Sequence, residues 1–168
     1  ERLGRSRMAG ETARAHLARF GRDGDVVETS GSSATVELAA AELGVEPARI
    51  AKTLGFYGVE PGTSILVVAA GDARVDNAAF KAAFGIKARM LKPDDVEALT
   101  GHAIGGVCPF ANPDVAAVHL DASLRRFASV FPAVGNAASA VELTPDELEV
   151  VAEPVGWVHV TKDPAPTS

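Results

Sequence analysis

The segment TGHAIGGVCPF, residues 100–110, collects the residue types best suited to chemistry in this chain. It holds three glycines, a proline, a histidine and the only cysteine of the sequence. Three interpretations compete. Cys108 could be a nucleophile with His102 as its base, or His102 could bind a metal ion. Alternatively, Gly105 and Gly106 could expose backbone N–H groups that hold a carbonyl or a developing oxyanion.

The residue types favour the third interpretation over the first two. A lone cysteine is more often a small buried hydrophobic residue than a nucleophile. The histidines lack the HxH or HExxH spacing of metal ligands, so we expect no metal site; they are His16, His102, His119 and His159. A backbone cradle still has a rival, a tight turn between a helix and a strand, which explains the glycines and Pro109 equally well. Spacing alone does not decide between the two.

Lys52 is the second residue with an unusual position. It lies in RIAKTLGFYG, residues 49–58, whose alternation predicts a strand with Ile50, Lys52, Leu54 and Phe56 on one face. Lysine is seldom buried among large apolar side chains without a reason. Either this face lies at an edge and the lysine extends to water, or the ammonium points into a cavity. In a cavity it could bind a phosphate or polarise an ester carbonyl.

The elements around these residues alternate between helices and strands. Predicted helices cover 10–21, 35–44 with Thr35 as N-cap, a segment capped by Asp76, 92–101, and 144–153 with a capping box. Predicted strands cover 26–29, 49–58, 64–71, 87–91, 115–121 and 156–161. The segment 64–71 is apolar on both faces and should be a central strand. The pattern is α/β or α+β with a mixed sheet that could curl toward a barrel.

Composition places limits on the function. The chain of 168 residues is 47% apolar and 23% charged, as in globular proteins. We expect one domain over residues 1–168, with residues 1–7 and 163–168 flexible. The formal net charge is −6, so a nucleic-acid partner would have to be held by a local pocket rather than by a basic surface. Without an apolar run of membrane length, a signal peptide or a second cysteine, we expect a cytoplasmic protein with no membrane contact.

Four segments, in this order, resemble the YbaK/prolyl-tRNA synthetase-associated editing domain family. They are IAKTLGFYG, LVVAAGDARVDNAAF, KARMLKPDDVEALTGHAIGGVCPFA and VHLDASLRRFASVFPAVGN, and the resemblance runs from about Val36 to Leu148. It implies a mixed, barrel-like β-sheet surrounded by helices. It also implies hydrolysis of the ester of wrongly charged tRNA, chiefly alanine or cysteine on tRNA for proline. Family members are described as free of metal and of a covalent protein nucleophile, and as using water and a ribose hydroxyl of the substrate. We expect no cofactor.

The resemblance also implies a set of site residues. Catalytic roles fall on Lys52, Gly105 and Gly106. Substrate-binding roles fall on Thr53, Val107, Cys108, Pro109, Gly135 and Asn136. The chain departs from the family at Ala111, where PFG is common, and at Gly135-Asn136, where Gly-Ser is common. These departures bear on substrate choice more than on reaction type.

The expected partner is the 3′ acceptor end of an aminoacyl-tRNA, with prolyl-tRNA synthetase as a second candidate, and we expect a monomer. Two other functions fit the same residues. The domain could bind tRNA or a synthetase without catalysis, in which case Lys52 would matter for affinity alone. It could also hydrolyse small-molecule esters or thioesters, which the acidic net charge would favour.

Overall fold

The computed structural model describes residues 9–29 and 35–163. Of the ends predicted to be flexible, residues 1–7 and 164–168 lie outside the described residues, and Asp163 is exposed. Five α-helices occur in the described ranges: α1 (Ala9–Ala18), α2 (Val36–Leu43), α3 (Asn77–Phe84), α4 (Pro93–Thr100) and α5 (Pro145–Ala152).

The helix ends confirm the predicted caps. The hydroxyl of Thr35 accepts the N–H of Leu38 at 3.1 Å, and the carboxylate of Asp76 accepts the N–H of Ala79 at 3.1 Å. Thr144 and Glu147 form the reciprocal bonds of a capping box, with proline at the first helical position of α5. Each of these caps satisfies N–H groups that the first helical turn leaves without intrahelical partners.

Nine strands are described. They are β1 (Val26–Glu28), β2 (Ile50–Tyr57), β3 (Ser64–Ala70), β4 (Arg74–Val75), β5 (Ala116–Asp121), β6 (Phe131–Pro132), β7 (Ser139–Val141), β8 (Gly156–Val158) and β9 (Thr161–Lys162). Five of them form one sheet in the order β6-β2-β3-β5-β8. The β2–β3 pair is antiparallel and the other three pairs are parallel, which confirms the predicted mixed sheet and α/β fold.

The central position predicted for residues 64–71 is confirmed, since every residue of β3 is buried. Its side chains alternate between two layers. Leu66 and Val68 belong to the core cluster that includes residues of α1 and α5, whereas Ile65 and Val67 pack in a cluster with Phe80 of α3. Helices therefore cover both faces of the sheet, as an apolar central strand requires.

The sheet curls at one end without closing. Single bridges join Val130 to Leu143 and Ala133 to Ala140, and β7 also pairs with β1. These contacts extend the β6 side of the sheet around the core. In the part of the chain that the structure describes, β1 and β8 each pair with one strand only, so the barrel-like arrangement remains open.

Two predicted strands were wrong in extent. Residues 87–91 make only one bridge, Met90 with Phe56, because the chain enters α4 at Pro93 directly afterwards. The strand predicted at 156–161 is interrupted, because the N–H of Val160 turns to the buried carboxylate of Asp121 at 2.8 Å. Beyond the interruption, β9 pairs with β4 instead.

Asp121 caps the short helix that follows β5, and its fully buried carboxylate also accepts the hydroxyl of Thr161 at 2.6 Å. No helix within residues 9–29 and 35–163 combines the length and the apolar character needed to cross a bilayer.

Gly71, at the end of β3, lies where two backbone segments touch. A Cβ atom there would stand 2.1 Å from the carbonyl oxygen of Pro47 and 2.8 Å from a methyl group of Val36. Only glycine allows this approach.

We predict that Gly71→Ala lowers the free energy of unfolding by about 2 kcal/mol, because the backbone must shift to admit the methyl group. The matched control is Gly24→Ala, where a Cβ would meet nothing within 4 Å. Chemical denaturation monitored by circular dichroism measures both variants. Equal stability of the two would contradict the crowding at Gly71.

Candidate active site

A cavity of about 300 Å³ lies along β2, between α2, the 103–107 loop and the 133–140 hairpin. Its position follows from the pairing of β2. On one edge, β6 pairs with Ile50 and Ala51 only, and the next contact is the bridge of Phe56 to Met90. The edge is therefore uncovered around Thr53, and the cavity fills this gap.

Lys52 lines the cavity and is held by the backbone. Its ammonium donates to the carbonyl oxygen of Ala73 at 2.6 Å and to that of Gly71 at 3.2 Å. Because an ammonium carries three N–H donors, one remains for a ligand. The interpretation that Lys52 merely extends to water does not describe this geometry, since the side chain is half-buried and reaches carbonyls of its own chain.

Burial and the nearby carboxylates shift the pKa of Lys52 in opposite directions. Burial lowers the pKa of Lys52 below its ordinary value, while the carboxylates of Asp72 and Glu37 act in the opposite direction. Asp72 is itself ion-paired with Arg126. A further anion in the cavity would therefore favour the charged form of the lysine.

Thr53 presents an unpartnered hydroxyl. Its Oγ1 atom is buried and has no hydrogen-bond partner within the described residues, although the side chain lines the cavity. The backbone N–H and C=O of Thr53 point to the same open edge, because the backbone groups that face one edge of a strand recur at every second residue. Further along this edge, Gly55 accepts the N–H of Leu91 at 3.0 Å. Tyr57 donates its N–H to the carbonyl of Arg89 at 2.9 Å. A polar ligand would satisfy these groups.

The two loop glycines have different structural roles. Gly105 lines the cavity with φ of +91°, a conformation that side chains disfavour. Gly106 lies against the hairpin, where a Cβ would stand 2.5 Å from the carbonyl oxygen of Gly135. The N–H of Gly106 donates to Ala103 at 2.9 Å, whereas those of Gly105 and Val107 have no acceptor within the described ranges. The loop is thus a tight turn that also leaves two backbone N–H groups free to donate hydrogen bonds to a ligand.

The hairpin supplies the facing wall. Gly135 turns the chain with φ of +83°. Asn136 follows it and lines the cavity. The side-chain oxygen of Asn136 accepts the N–H of Ala138 at 2.7 Å, which leaves the amide nitrogen available. Because Gly106 packs directly on Gly135 and Asn136, the loop and the hairpin hold one another in place.

Cys108 and Pro109 are buried beneath the loop and do not line the cavity. The thiol lies 3.4 Å from Nε2 of His102, and both side chains are fully buried. Burial raises the pKa of Cys108 to about 12 and lowers that of His102. The Nε2 atom of His102 is 2.7 Å from the carbonyl oxygen of Phe110, so Nε2 is a donor and cannot accept the proton of the thiol. The pair that a nucleophilic mechanism needs is present, but as a protonated thiol in the core.

The structure thus brings five of the nine expected site residues to one cavity. They are Lys52, Thr53, Gly105, Val107 and Asn136. Gly106 and Gly135 support the walls. Within the described residues, no three His, Cys, Asp or Glu side chains are grouped as metal ligands would be.

Three supporting features were missed from the sequence. Asn112 donates to the carbonyls of Thr100 and Cys108 at 2.8 and 3.0 Å, which closes the base of the loop. His16 of α1 accepts the N–H of Ala111 at 3.3 Å. The third feature is the wall that α2 forms, where Val36, Ala39 and Leu43 line the cavity. None of these residues belongs to a local motif that predicts such contacts.

Ala111 adopts φ of +56°, a conformation that favours glycine. This explains why glycine suits the position that follows Pro109-Phe110, where this chain departs from the family pattern. The departure lies behind the loop rather than in the cavity lining.

Comparison with known proteins identifies relatives over most of the chain. The sequence model of a family described as an aminoacyl-tRNA editing domain matches residues 31–150. YwhH of Bacillus subtilis (strain 168), an uncharacterised protein, is 50% identical over 156 residues, which are 93% of this chain and 99% of YwhH. EbsC of Enterococcus faecalis (strain ATCC 700802 / V583), a candidate Cys-tRNA(Pro)/Cys-tRNA(Cys) deacylase, is 29% identical over 115 residues, covering 68% of this chain and 70% of EbsC.

Two solved structures share the fold. A candidate trans-editing enzyme for prolyl tRNA synthetase superposes with a TM-score of 0.81 and 28% identity, over 92% of this chain and 97% of the other. The hypothetical protein APE2540 superposes with a TM-score of 0.72 and 30% identity, over 82% and 90% of the two chains.

We predict that Thr53→Val raises the free energy of unfolding by about 1 kcal/mol, because it removes a buried hydroxyl without a partner at nearly constant volume. The matched control is Thr161→Val, which removes a hydroxyl that bonds to Asp121 and should destabilise. Urea denaturation measures both. A loss of stability in Thr53→Val equal to that of the control would show that the Thr53 hydroxyl has a partner in the free protein.

Proposed function

This chain belongs to the family of aminoacyl-tRNA editing domains, and we propose that it is a trans-editing hydrolase that cleaves the ester of mischarged tRNA. Family membership supports an editing or deacylase function in general terms. The observation that carries the proposal is the convergence of Lys52, Thr53, Gly105, Val107 and Asn136 on one cavity.

In the proposed reaction, a water molecule attacks the ester carbonyl of the aminoacyl group. The oxygen of water bonds to the carbonyl carbon, the bond from carbon to the ribose oxygen breaks, and the ribose oxygen takes a proton. The products are a free amino acid and uncharged tRNA. A neighbouring ribose hydroxyl of the substrate assists the proton transfer, and no protein nucleophile is required.

Backbone amides supply the electrostatic stabilisation. The N–H groups of Gly105 and Val107 are the donors for the oxyanion of the tetrahedral intermediate. Gly106 acts in positioning, because its own N–H is engaged with Ala103. Such preorganised donors need no reorganisation during the reaction, and the aminoacyl ester is already activated, so orientation and charge stabilisation suffice.

Lys52 binds the phosphate or ribose of the terminal nucleotide through its remaining N–H donor. Thr53 and Asn136 supply further hydrogen bonds from the strand edge and the hairpin. Because the ammonium is fixed by Gly71 and Ala73, it loses little conformational freedom when a ligand binds.

The proposed substrate is tRNA for proline carrying alanine, cysteine or a similarly small amino acid. The names of EbsC and of the solved trans-editing enzyme concern Cys-tRNA and prolyl tRNA synthetase, and they support this assignment. So does the size of the cavity, about 300 Å³, the lower end of the usual range for small-molecule sites. Prolyl-tRNA synthetase is the proposed protein partner.

We predict that Lys52→Ala lowers the deacylation rate roughly 100-fold, equivalent to about 3 kcal/mol of transition-state stabilisation. The assay uses tRNA for proline charged separately with alanine, cysteine, serine and proline. The matched control is Lys81→Ala, an exposed lysine outside the cavity, which should retain full activity. A folded Lys52→Ala protein with undiminished turnover would overturn the role of Lys52.

The same assay, extended to a measurement of tRNA binding and to free aminoacyl esters, separates the alternatives. If the wild type binds the charged tRNA but hydrolyses none of the four esters, the domain is a binding module. If it hydrolyses free aminoacyl esters as well as the tRNA esters, a small-molecule hydrolase describes it better.

A further inference from the structure

Asp72 lies between the two residues whose carbonyl oxygens hold the ammonium of Lys52. Those residues are Gly71 and Ala73, so the carboxylate is attached to the turn that binds the cation. The carboxylate nevertheless bonds to the guanidinium of Arg126. We propose that Arg126 is a positioning residue, which engages Asp72 and so leaves Lys52 free to bind the substrate. This inference rests on the proposed function, which gives Lys52 its contact with the terminal nucleotide.

The contact between Arg126 and Asp72 is bidentate. One guanidinium nitrogen lies 3.4 Å from Oδ2 of the carboxylate, and the other donates to Oδ1. Two such hydrogen bonds fix the orientation of a carboxylate as well as balancing its charge. The side chains of Arg126 and Asp72 are 38% and 28% exposed, so water screens this pair less than a pair on the open surface.

Arg126 is itself held in place by the short helix that follows β5. Its Nε atom donates to the carbonyl oxygen of Ser123 at 3.2 Å, and its guanidinium lies over the ring of Phe127, 4.8 Å from the centroid. The hydroxyl of Ser123 accepts the N–H of Ala70, the last residue of β3, at 3.0 Å. The helix that carries Arg126 is therefore bonded to the strand end from which the Lys52-binding turn begins.

Without Arg126, the Asp72 carboxylate would compete with the substrate for Lys52. After the bonds to Gly71 and Ala73, one N–H donor of the ammonium remains. A carboxylate tethered beside it acts at an effective concentration in the millimolar range or above. A ligand then binds only the fraction of the protein in which the lysine is unpaired, so its apparent affinity is reduced by that fraction.

Glu37 is the second carboxylate that acts on the charge of Lys52. It belongs to the first turn of α2 and is exposed, so water and salt weaken its field. Asp72 has the larger effect of the two on the lysine. The carboxylate with the larger effect is thus the one that an arginine engages.

The first test measures, by calorimetry, the binding of 3′-alanylamino-3′-deoxyadenosine 5′-phosphate, an unreactive analogue with an amide in place of the ester. Arg126→Gln should bind the analogue roughly fivefold more weakly than the wild type, because the released Asp72 pairs with Lys52. The double variant Arg126→Gln/Asp72→Asn should bind within about twofold of the wild type, because the competing carboxylate is gone.

The matched control is Arg125→Gln. Arg125 is the neighbour of Arg126, is also ion-paired, and lies over an aromatic ring, that of Trp157, 3.8 Å from the centroid. Its carboxylate partners, Asp146 and Glu149, belong to α5 rather than to the turn that holds the lysine. This variant loses the same charge and should keep the wild-type affinity. It therefore separates the role of Arg126 from a general attraction between arginines and a phosphate.

The pKa of Lys52, followed by NMR of its side-chain nitrogen, gives a second readout that a merely structural role of Arg126 would not change. Arg126→Gln should raise this pKa, since a carboxylate beside the ammonium favours its charged form. In the double variant that also carries Asp72→Asn, the pKa should return to the wild-type value or fall below it.

An Arg126→Gln protein in which the pKa of Lys52 stays at the wild-type value overturns the inference. A double variant that binds the analogue as weakly as the single variant overturns it as well. The pKa measurement needs neither turnover nor ligand. Failure of the proposed function would appear separately, as the absence of deacylation of every charged tRNA by a wild type whose Lys52 still responds to Arg126→Gln.

Discussion

The ammonium of Lys52 is held by two backbone carbonyls at the edge of a cavity, and the proposed chemistry depends on this interaction. A lysine in a half-buried strand would destabilise the fold if its charge had no partner. The carbonyls of Gly71 and Ala73 provide that partner, and they are available because β3 turns at Gly71, where only glycine fits beneath Pro47. These two hydrogen bonds therefore link the β2–β3 pair to the site, because the turn that ends β3 also orients the ammonium of Lys52.

The rest of the site is built from gaps and close contacts in the backbone. The edge of β2 is covered by β6 at one end and by Met90 at the other, and the cavity occupies the interval between them. The loop wall stays in place because Gly106 touches the backbone of Gly135. Thr53 is left with an unpartnered hydroxyl in this interval. An uncovered strand edge can pair with a strand of another chain. Here the surrounding loop and hairpin block such pairing and leave space for a small ligand.

Local patterns in the sequence predicted most of the elements. Hydrophobic alternation identified β2, β3 and β5, and the caps at Thr35, Asp76 and Thr144 marked helix starts, because these signals depend on neighbouring residues alone. β4 and β6 were not predicted, since two-residue strands carry no periodicity. The break before β9 depends on Asp121, 39 positions away from Val160, and no local pattern encodes it. In the site, Lys52 and the glycine loop were recognisable by residue type, whereas Asn112, His16 and the α2 wall act through contacts that only the tertiary fold creates.

The central claim is tested most directly by the pKa of Lys52, followed by NMR of its side-chain nitrogen. The measurement is made with and without 3′-alanylamino-3′-deoxyadenosine 5′-phosphate, an unreactive analogue of the acylated end of the RNA. We expect a pKa below the ordinary lysine value in the free protein, because burial disfavours the charged form. Binding of the analogue should raise the pKa, since its phosphate adds a negative charge beside the ammonium. A lysine that titrates in the ordinary range, and does not respond to the analogue, would contradict both the anchored geometry and the proposed contact with the substrate.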